Sequence, residues 1–220
     1  MNEQKQKQAQ LAASLFSGIE AQIRGVVTAK QTYKADLAKL GELSYYTPEH
    51  LETRKIELRL AYDQARGKAY EKISASLDEL RAALEEKHGT LDLASPEWTN
   101  ALRLIEIGGD TLDYQTIGQI NSAFAHDQPA LRALQTIYKA RGIENDGGIA
   151  KMIYEIEPSF KRLQETAELV LIREGGPTIG TLARAVGEIA GLEGVSFDTS
   201  PDPDALQEAV NIGAGLAVMQ

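Results

Sequence analysis

The sequence predicts an all-α protein: a long antiparallel, coiled-coil-like helical hairpin followed by a compact bundle of short helices. Three observations point there. The first is an apolar seam, Ala12, Phe16, Ile19, Ile23, Val26, Lys30, Tyr33, Leu37 and Leu40, which advances in steps of four and three and is broken only by Lys30. That is the spacing of one helix laid against another. The second is composition: the chain is rich in Ala, Leu, Ile, Glu and Lys and only 6% aromatic, which favours helix over strand. The third is a repeated start signal. Thr47-Pro48-Glu49 and Ser95-Pro96-Glu97 each supply a capping hydroxyl, a proline for the first helical position and an acid for the positive end of the helix dipole.

The first helix is expected to begin between Glu3 and Leu11 and to run to about Leu40, with Gly41 as its stop. Gly18 and Gly25 fall inside it. Each costs about 1 kcal/mol relative to alanine, which implies close packing or a slight bend at those points. The second helix is expected from Pro48 to about Lys87, closed by His88-Gly89. Its apolar positions are Leu51, Leu58, Tyr62, Ala65, Ala69, Ile73, Leu77, Leu80 and Leu84, and the steps of four after Ala65 break a strict heptad. The short link Gly41–Tyr46 makes the two helices antiparallel neighbours. Residues 1–89 therefore read as one domain.

From Thr90 punctuation becomes frequent. Helices are expected from Ser95 to about Ile107, from Asp113 through Phe124, and from Asp127 to Arg141. A helix from Ile149 should break near Glu157, because Pro158 cannot continue the backbone bonding, and resume from Ser159 to Arg173. Gly175-Gly176-Pro177 ends that helix, and Thr178–Ala190 forms the last short one. Residues 90–190 thus read as a compact α-helical bundle. Gly191–Asp204 reads as an exposed linker, and Ala205–Val218 as a weakly amphipathic C-terminal helix, giving a third segment over 191–220.

Composition narrows the function classes. The net charge of −9 opposes binding to phosphate backbones and anionic lipid surfaces, so neither a nucleic-acid nor a membrane partner is expected. The nearest basic patch, Arg54, Lys55 and Arg59, is interleaved with Glu52 and Glu57. There is no cysteine, which removes disulfides, thiolate metal sites and cysteine nucleophiles. Met1–Gln10 is polar, without the apolar core of a secretory signal, and no apolar run approaches the length of a membrane span. A cytoplasmic location is expected.

Few residues carry chemistry. His50, His88 and His126 share no spacing of three or four, so no helical metal pair exists. Asp110, Asp113 and Asp127 read as helix caps. Asp198, Asp202 and Asp204 lack the glycine and terminal glutamate of a calcium loop. Gly175–Gly180 and Asn211–Leu216 lack the context of a phosphate-binding loop. No catalytic set, cofactor or metal is expected. Trp98, the single tryptophan, is expected in the core of the small bundle. Tyr45 and Tyr46 fall at the hairpin tip, beyond the reach of a bundle core, where they either staple the turn or contact a partner. The candidate partner-binding residues are therefore Phe16, Ile19, Ile23, Val26, Tyr33 and Leu37 on the seam, with Tyr45 and Tyr46 at the tip.

The run Ser44-Tyr45-Tyr46-Thr47-Pro48-Glu49, followed by a long charged helix from Leu51 to Lys87, resembles small helical proteins encoded in phage and prophage structural regions. The resemblance spans Gly41 to Lys87. It implies a morphogenesis role, or association with the virion, through protein–protein contact, and carries over no catalytic residue.

The expected function is that of a non-enzymatic structural or assembly protein working by helix-mediated contacts. Its partner is itself or another helical protein, with a homo-oligomer as the expected form. The alternative is an enzyme or small-molecule-binding helical domain in residues 90–190. A polar pocket on which His126, Asp127, Asp110 or Asp113 converge would favour it.

Overall fold

The computed structural model describes residues 3–42, 46–88, 91–144, 146–173 and 177–199. Seven α-helices are described: α1 (Glu3–Glu42), α2 (Pro48–Lys87), α3 (Pro96–Gly108), α4 (Tyr114–Ala123), α5 (Gln128–Ala140), α6 (Ile156–Leu171) and α7 (Ile179–Leu192). Single 3-10 turns lie at Gly109–Thr111 and Ile149–Lys151, and there is no strand among the described residues. None of the described helices is long and apolar enough to cross a membrane.

Local chemistry sets the helix starts. The hydroxyls of Thr47, Ser95 and Thr178 accept from the amides of His50, Trp98 and Thr181. The carboxylates of Asp113 and Asp127 accept from Thr116 and Ala130 in the same way. Each cap satisfies one of the free amides that a helix start leaves over. Asp110 does not cap a helix; it lies exposed in the first 3-10 turn.

α1 and α2, 40 residues each, lie antiparallel. Gln8 donates to Glu86 at 2.5 Å near one end, and Tyr33 stacks on Tyr62 toward the other, with ring centroids 5.3 Å apart. The all-α hairpin followed by shorter helices matches the expected fold class. Gly18 and Gly25 pack against nothing: a Cβ added at either would meet no atom within 4 Å. The expected close approach is therefore absent at both.

The hydrophobic core does not divide at residue 90. One cluster joins Ala12–Val27 of α1 and Ala69–Leu84 of α2 to Phe160, Leu163 and Ala167 of α6 and to Leu182, Ala183 and Val186 of α7. These four helices form the body of the molecule. A second, smaller cluster holds Trp98, Ile105, Ile117, Leu131, Leu134 and Tyr138, from α3, α4 and α5. The sequence segment 96–140 is thus a small helical unit inserted between α2 and α6. The physical reason is supply of apolar surface. A two-helix hairpin cannot enclose its own seam, and α6 and α7 carry the apolar faces that close it.

Two local expectations change. The stretch from Ile149 makes only a 3-10 turn, and α6 starts at Ile156 with Pro158 inside its first turn. Amides of the first turn have no partner within the helix, so proline there costs no bond. Gly191 and Leu192 complete α7, and Gly194, at φ +74°, turns the chain back in the left-handed cap expected after a helix. Val195 and Phe197 then pack on the body core. Residues 191–199 are therefore part of the fold, and the rest of the expected linker and the C-terminal helix lie outside the described residues.

Two stability predictions follow from this packing. Ile73→Ala, at a fully buried position, should lower the free energy of unfolding by about 2–5 kcal/mol in urea titrations. Gly18→Ala, in an open helical position, should raise it by about 1 kcal/mol.

Candidate functional site

Two places in the fold concentrate unusual features: the joint between the two cores and the far half of the hairpin.

The joint forms where α2 and α7 end. Glu193 follows the last residue of α7, and its side chain is 1% exposed. Its carboxylate accepts from Lys87 Nζ at 2.6 Å and Tyr154 Oη at 2.5 Å, and pairs with His88 Nε2 at 2.9 Å. Lys87 and His88 close α2; Tyr154 lies between the inserted unit and α6. Burial pushes the Glu193 carboxyl upward, but the bonds and charges of His88 and Lys87 outweigh it and hold the group down at about 2. Burial, with the neighbouring carboxylate, pushes the Tyr154 phenol well above its ordinary range, so it stays a donor.

The inserted unit is tied to the same place. His126, in the α4–α5 turn, is bonded through Nδ1 to the carbonyl of Leu192 at 2.9 Å. Its ring lies over Gly194, where a Cβ would come within 2.9 Å of Nε2. Gly194 is therefore required twice, for its backbone angle and for this approach. Gln128, fully buried at the start of α5, donates to the Met152 carbonyl at 3.0 Å and accepts from the Tyr154 amide at 3.2 Å.

A cleft of about 460 Å³ opens beside the joint, bordered by Lys87, His88, Phe124, His126, Asp127 and Glu193. The structure thus brings His126 and Asp127 together, whereas Asp110 and Asp113 do not border the cleft. Several polar groups at its wall are engaged in holding the fold: Asp127 caps α5, Ser95 caps α3, and Asp92 accepts from the Ala94 amide at 3.1 Å. Among the described residues no group of three His, Asp or Glu side chains is placed to hold a metal ion.

The second place is the hairpin beyond the body. The body ends at Arg66, whose guanidinium donates to the carbonyl of Val170 at 3.2 Å and to that of Arg173 at 3.5 Å, at the C-terminal end of α6. Its charge also lies over the Tyr62 ring, 5.5 Å from the centroid. From Thr28 to Ala65 no described residue is buried. This arm of two helices spans about 20 Å along its axis. Ile56 is 67% exposed and Leu60 57%, one turn apart on α2. With Tyr33, Lys55, Arg59 and Asp63 they line a shallow surface groove.

The partner-binding residues expected from sequence divide between the two regions. Phe16, Ile19, Ile23 and Val26 are buried in the body, where α2, α6 and α7 already cover them. Tyr33 and Leu37 lie half-buried in the arm. Tyr46 is exposed at the tip and stacks on His50, with centroids 4.4 Å apart; Tyr45 lies outside the described residues. Sequence reasoning missed Glu193, Arg66, Ile56 and Leu60. For Glu193 the usable signal was Gly194-Val195, the glycine and apolar residue of a helix end, which places Glu193 at a helix terminus rather than in a linker. For Ile56 and Leu60 the signal was that both are large apolar residues off the stripe through Leu51, Leu58, Tyr62 and Ala65.

No family model, no curated protein and no solved structure matches this chain.

The joint generates a pH prediction. The Glu193 carboxyl in the folded chain sits at about 2, below its ordinary 4.5. Its contribution is therefore present above 4.5 and lost as pH falls through about 2. Glu193→Gln should destabilise the chain at neutral pH by about 3 kcal/mol, by leaving Lys87 and His88 without their carboxylate. It should also flatten the acid side of a plot of melting temperature against pH.

Proposed function

We propose that this chain is a non-enzymatic assembly protein that works by docking a helical partner along its projecting arm. The observation that carries the reading is the absence of any buried residue from Thr28 to Ala65 among those described, in two helices whose buried residues lie at Ala12–Val27 of α1 and Arg66–Leu84 of α2. Isolated helix pairs hold together by enclosing an apolar seam, and tertiary packing supplies most helical stability. Here Tyr33, Leu37, Leu51 and Leu58 are only half-buried, and Ile56 and Leu60 are exposed to solvent. A contiguous apolar strip flanked by charge is the ordinary form of a protein contact surface. The body and the inserted unit then act as a rigid base that presents the arm. An arm on a base suits the morphogenesis role that the resemblance of residues 41–87 implies, in the cytoplasm or on a virion.

A second reading rests on the cleft beside Glu193. Its volume, about 460 Å³, is within the range of small-molecule sites, and His126 and Asp127 border it. It is the weaker reading, because Lys87, His88, Glu193, His126 and Asp127 around it are already bonded within the fold.

Site-directed photo-crosslinking tests the proposal. A photo-reactive residue at position 56 or 60, irradiated in the cells that make the protein, should give protein adducts. The same residue at Glu165, exposed on α6, should not. No adduct at either arm position would remove the reading.

A further inference from the structure

We infer that the arm's partner is a second copy of this chain, with the two arms packed antiparallel as a four-helix bundle; this rests on the arm reading above. Counted from the sequence, residues 28–65 hold six basic side chains (Lys30, Lys34, Lys39, Arg54, Lys55, Arg59) and six acidic ones (Asp36, Glu42, Glu49, Glu52, Glu57, Asp63). The arm is neutral, and the chain's whole net charge of −9 lies outside it.

Several of these charges are also matched within their own helix. Lys39 pairs with Asp36 at 3.1 Å, Lys55 with Glu52 at 2.6 Å, Arg59 with Asp63 at 3.0 Å, and Arg54 with Glu57. A strongly acidic or strongly basic partner therefore gains little from the arm. Its recognition element is the apolar strip, and an identical neutral strip is a matching surface with no net repulsion to overcome.

Charge also decides the orientation. Two parallel arms would set two acidic bodies side by side. Antiparallel arms place the bodies at opposite ends, about 20 Å apart, well beyond the roughly 8 Å screening length of physiological salt. A two-fold axis at the level of Leu58 then puts Ile56 of each copy opposite Leu60 of the other. One contact repeated twice closes the assembly, as in most symmetric dimers. The two arms together supply four helices, the smallest common bundle that encloses a seam.

Light scattering on the purified chain should give the mass of two chains of 24.0 kDa at roughly 10 µM, a level that populates a micromolar dimer. A single-chain mass there would overturn the inference. The variant I56E/L60E changes only exposed positions, so its circular dichroism and melting temperature should match those of the dissociated wild type. Its dimer should weaken at least tenfold. A dimer left intact by I56E/L60E, or dissociated instead by I107E on the exposed face of α3, would overturn pairing through the arm.

The orientation has its own readout, because the chain has no cysteine of its own. Oxidising a mixture of I56C and L60C chains, one of them tagged, should trap the mixed pair in preference to either like pair. Preferential trapping of like pairs would indicate parallel arms and overturn the register. The crosslinking above separates the two levels of failure. A chain that is monomeric when pure, yet crosslinks through position 56 to a different protein, keeps the docking arm and loses the second copy. A monomer with no adduct loses both.

Discussion

A pair of helices can bury a seam only as far as something covers it, and here the cover stops at Arg66. α6 and α7 lie along the near half of the hairpin and bring Phe16, Ile19, Ile23 and Leu77 out of water. At the end of α6 the guanidinium of Arg66 donates to the carbonyls of Val170 and Arg173. The same side chain that finishes α6 therefore marks where the body ends. The architecture is a covered half that supplies stability and an uncovered half whose apolar residues are free of that task.

The joint at Glu193 performs a different office. A buried carboxylate is costly unless its charge and lone pairs are met, and this one is met by a lysine and a histidine at the end of α2 and by a tyrosine hydroxyl before α6. Apolar packing within the inserted unit would leave its orientation on the body loosely defined. Directional bonds at Glu193, at His126 and at Gln128 define it. The cleft beside the joint is where the inserted unit and the end of the body meet without fully closing.

Much of this was legible in the sequence wherever the signal is local. Thr47-Pro48, Ser95-Pro96 and Thr178 announce helix starts because a cap is satisfied within three residues. Pro158 misled, because a proline forbidden inside a helix is welcome in its first turn, and only the position of the start separates the two cases. The partition of the cores was not legible. α6 and α7 look like the tail of the short-helix bundle, and nothing local says that their apolar faces belong to the distant α1 and α2. The same holds at the candidate surface. The seam from Phe16 to Val26 and the strip at Ile56 and Leu60 are equally apolar in sequence, and only the placement of distant helices makes one an interior and the other an exterior.

The insertion of α3–α5 between α2 and α6 has a consequence for biosynthesis. The hairpin leaves the ribosome before α6 and α7, with Phe16, Ile19 and Leu77 not yet covered by them, and α7 emerges about a hundred residues after α2 is complete. At typical elongation rates that interval is of order ten seconds, far longer than a hairpin needs to form. Throughout it, the nascent chain displays the very groove that α6 and α7 will fill. Newly made copies on one messenger are thus exposed to tangling with each other before any of them is finished, and a holding chaperone at that stage would protect yield without touching the mature molecule.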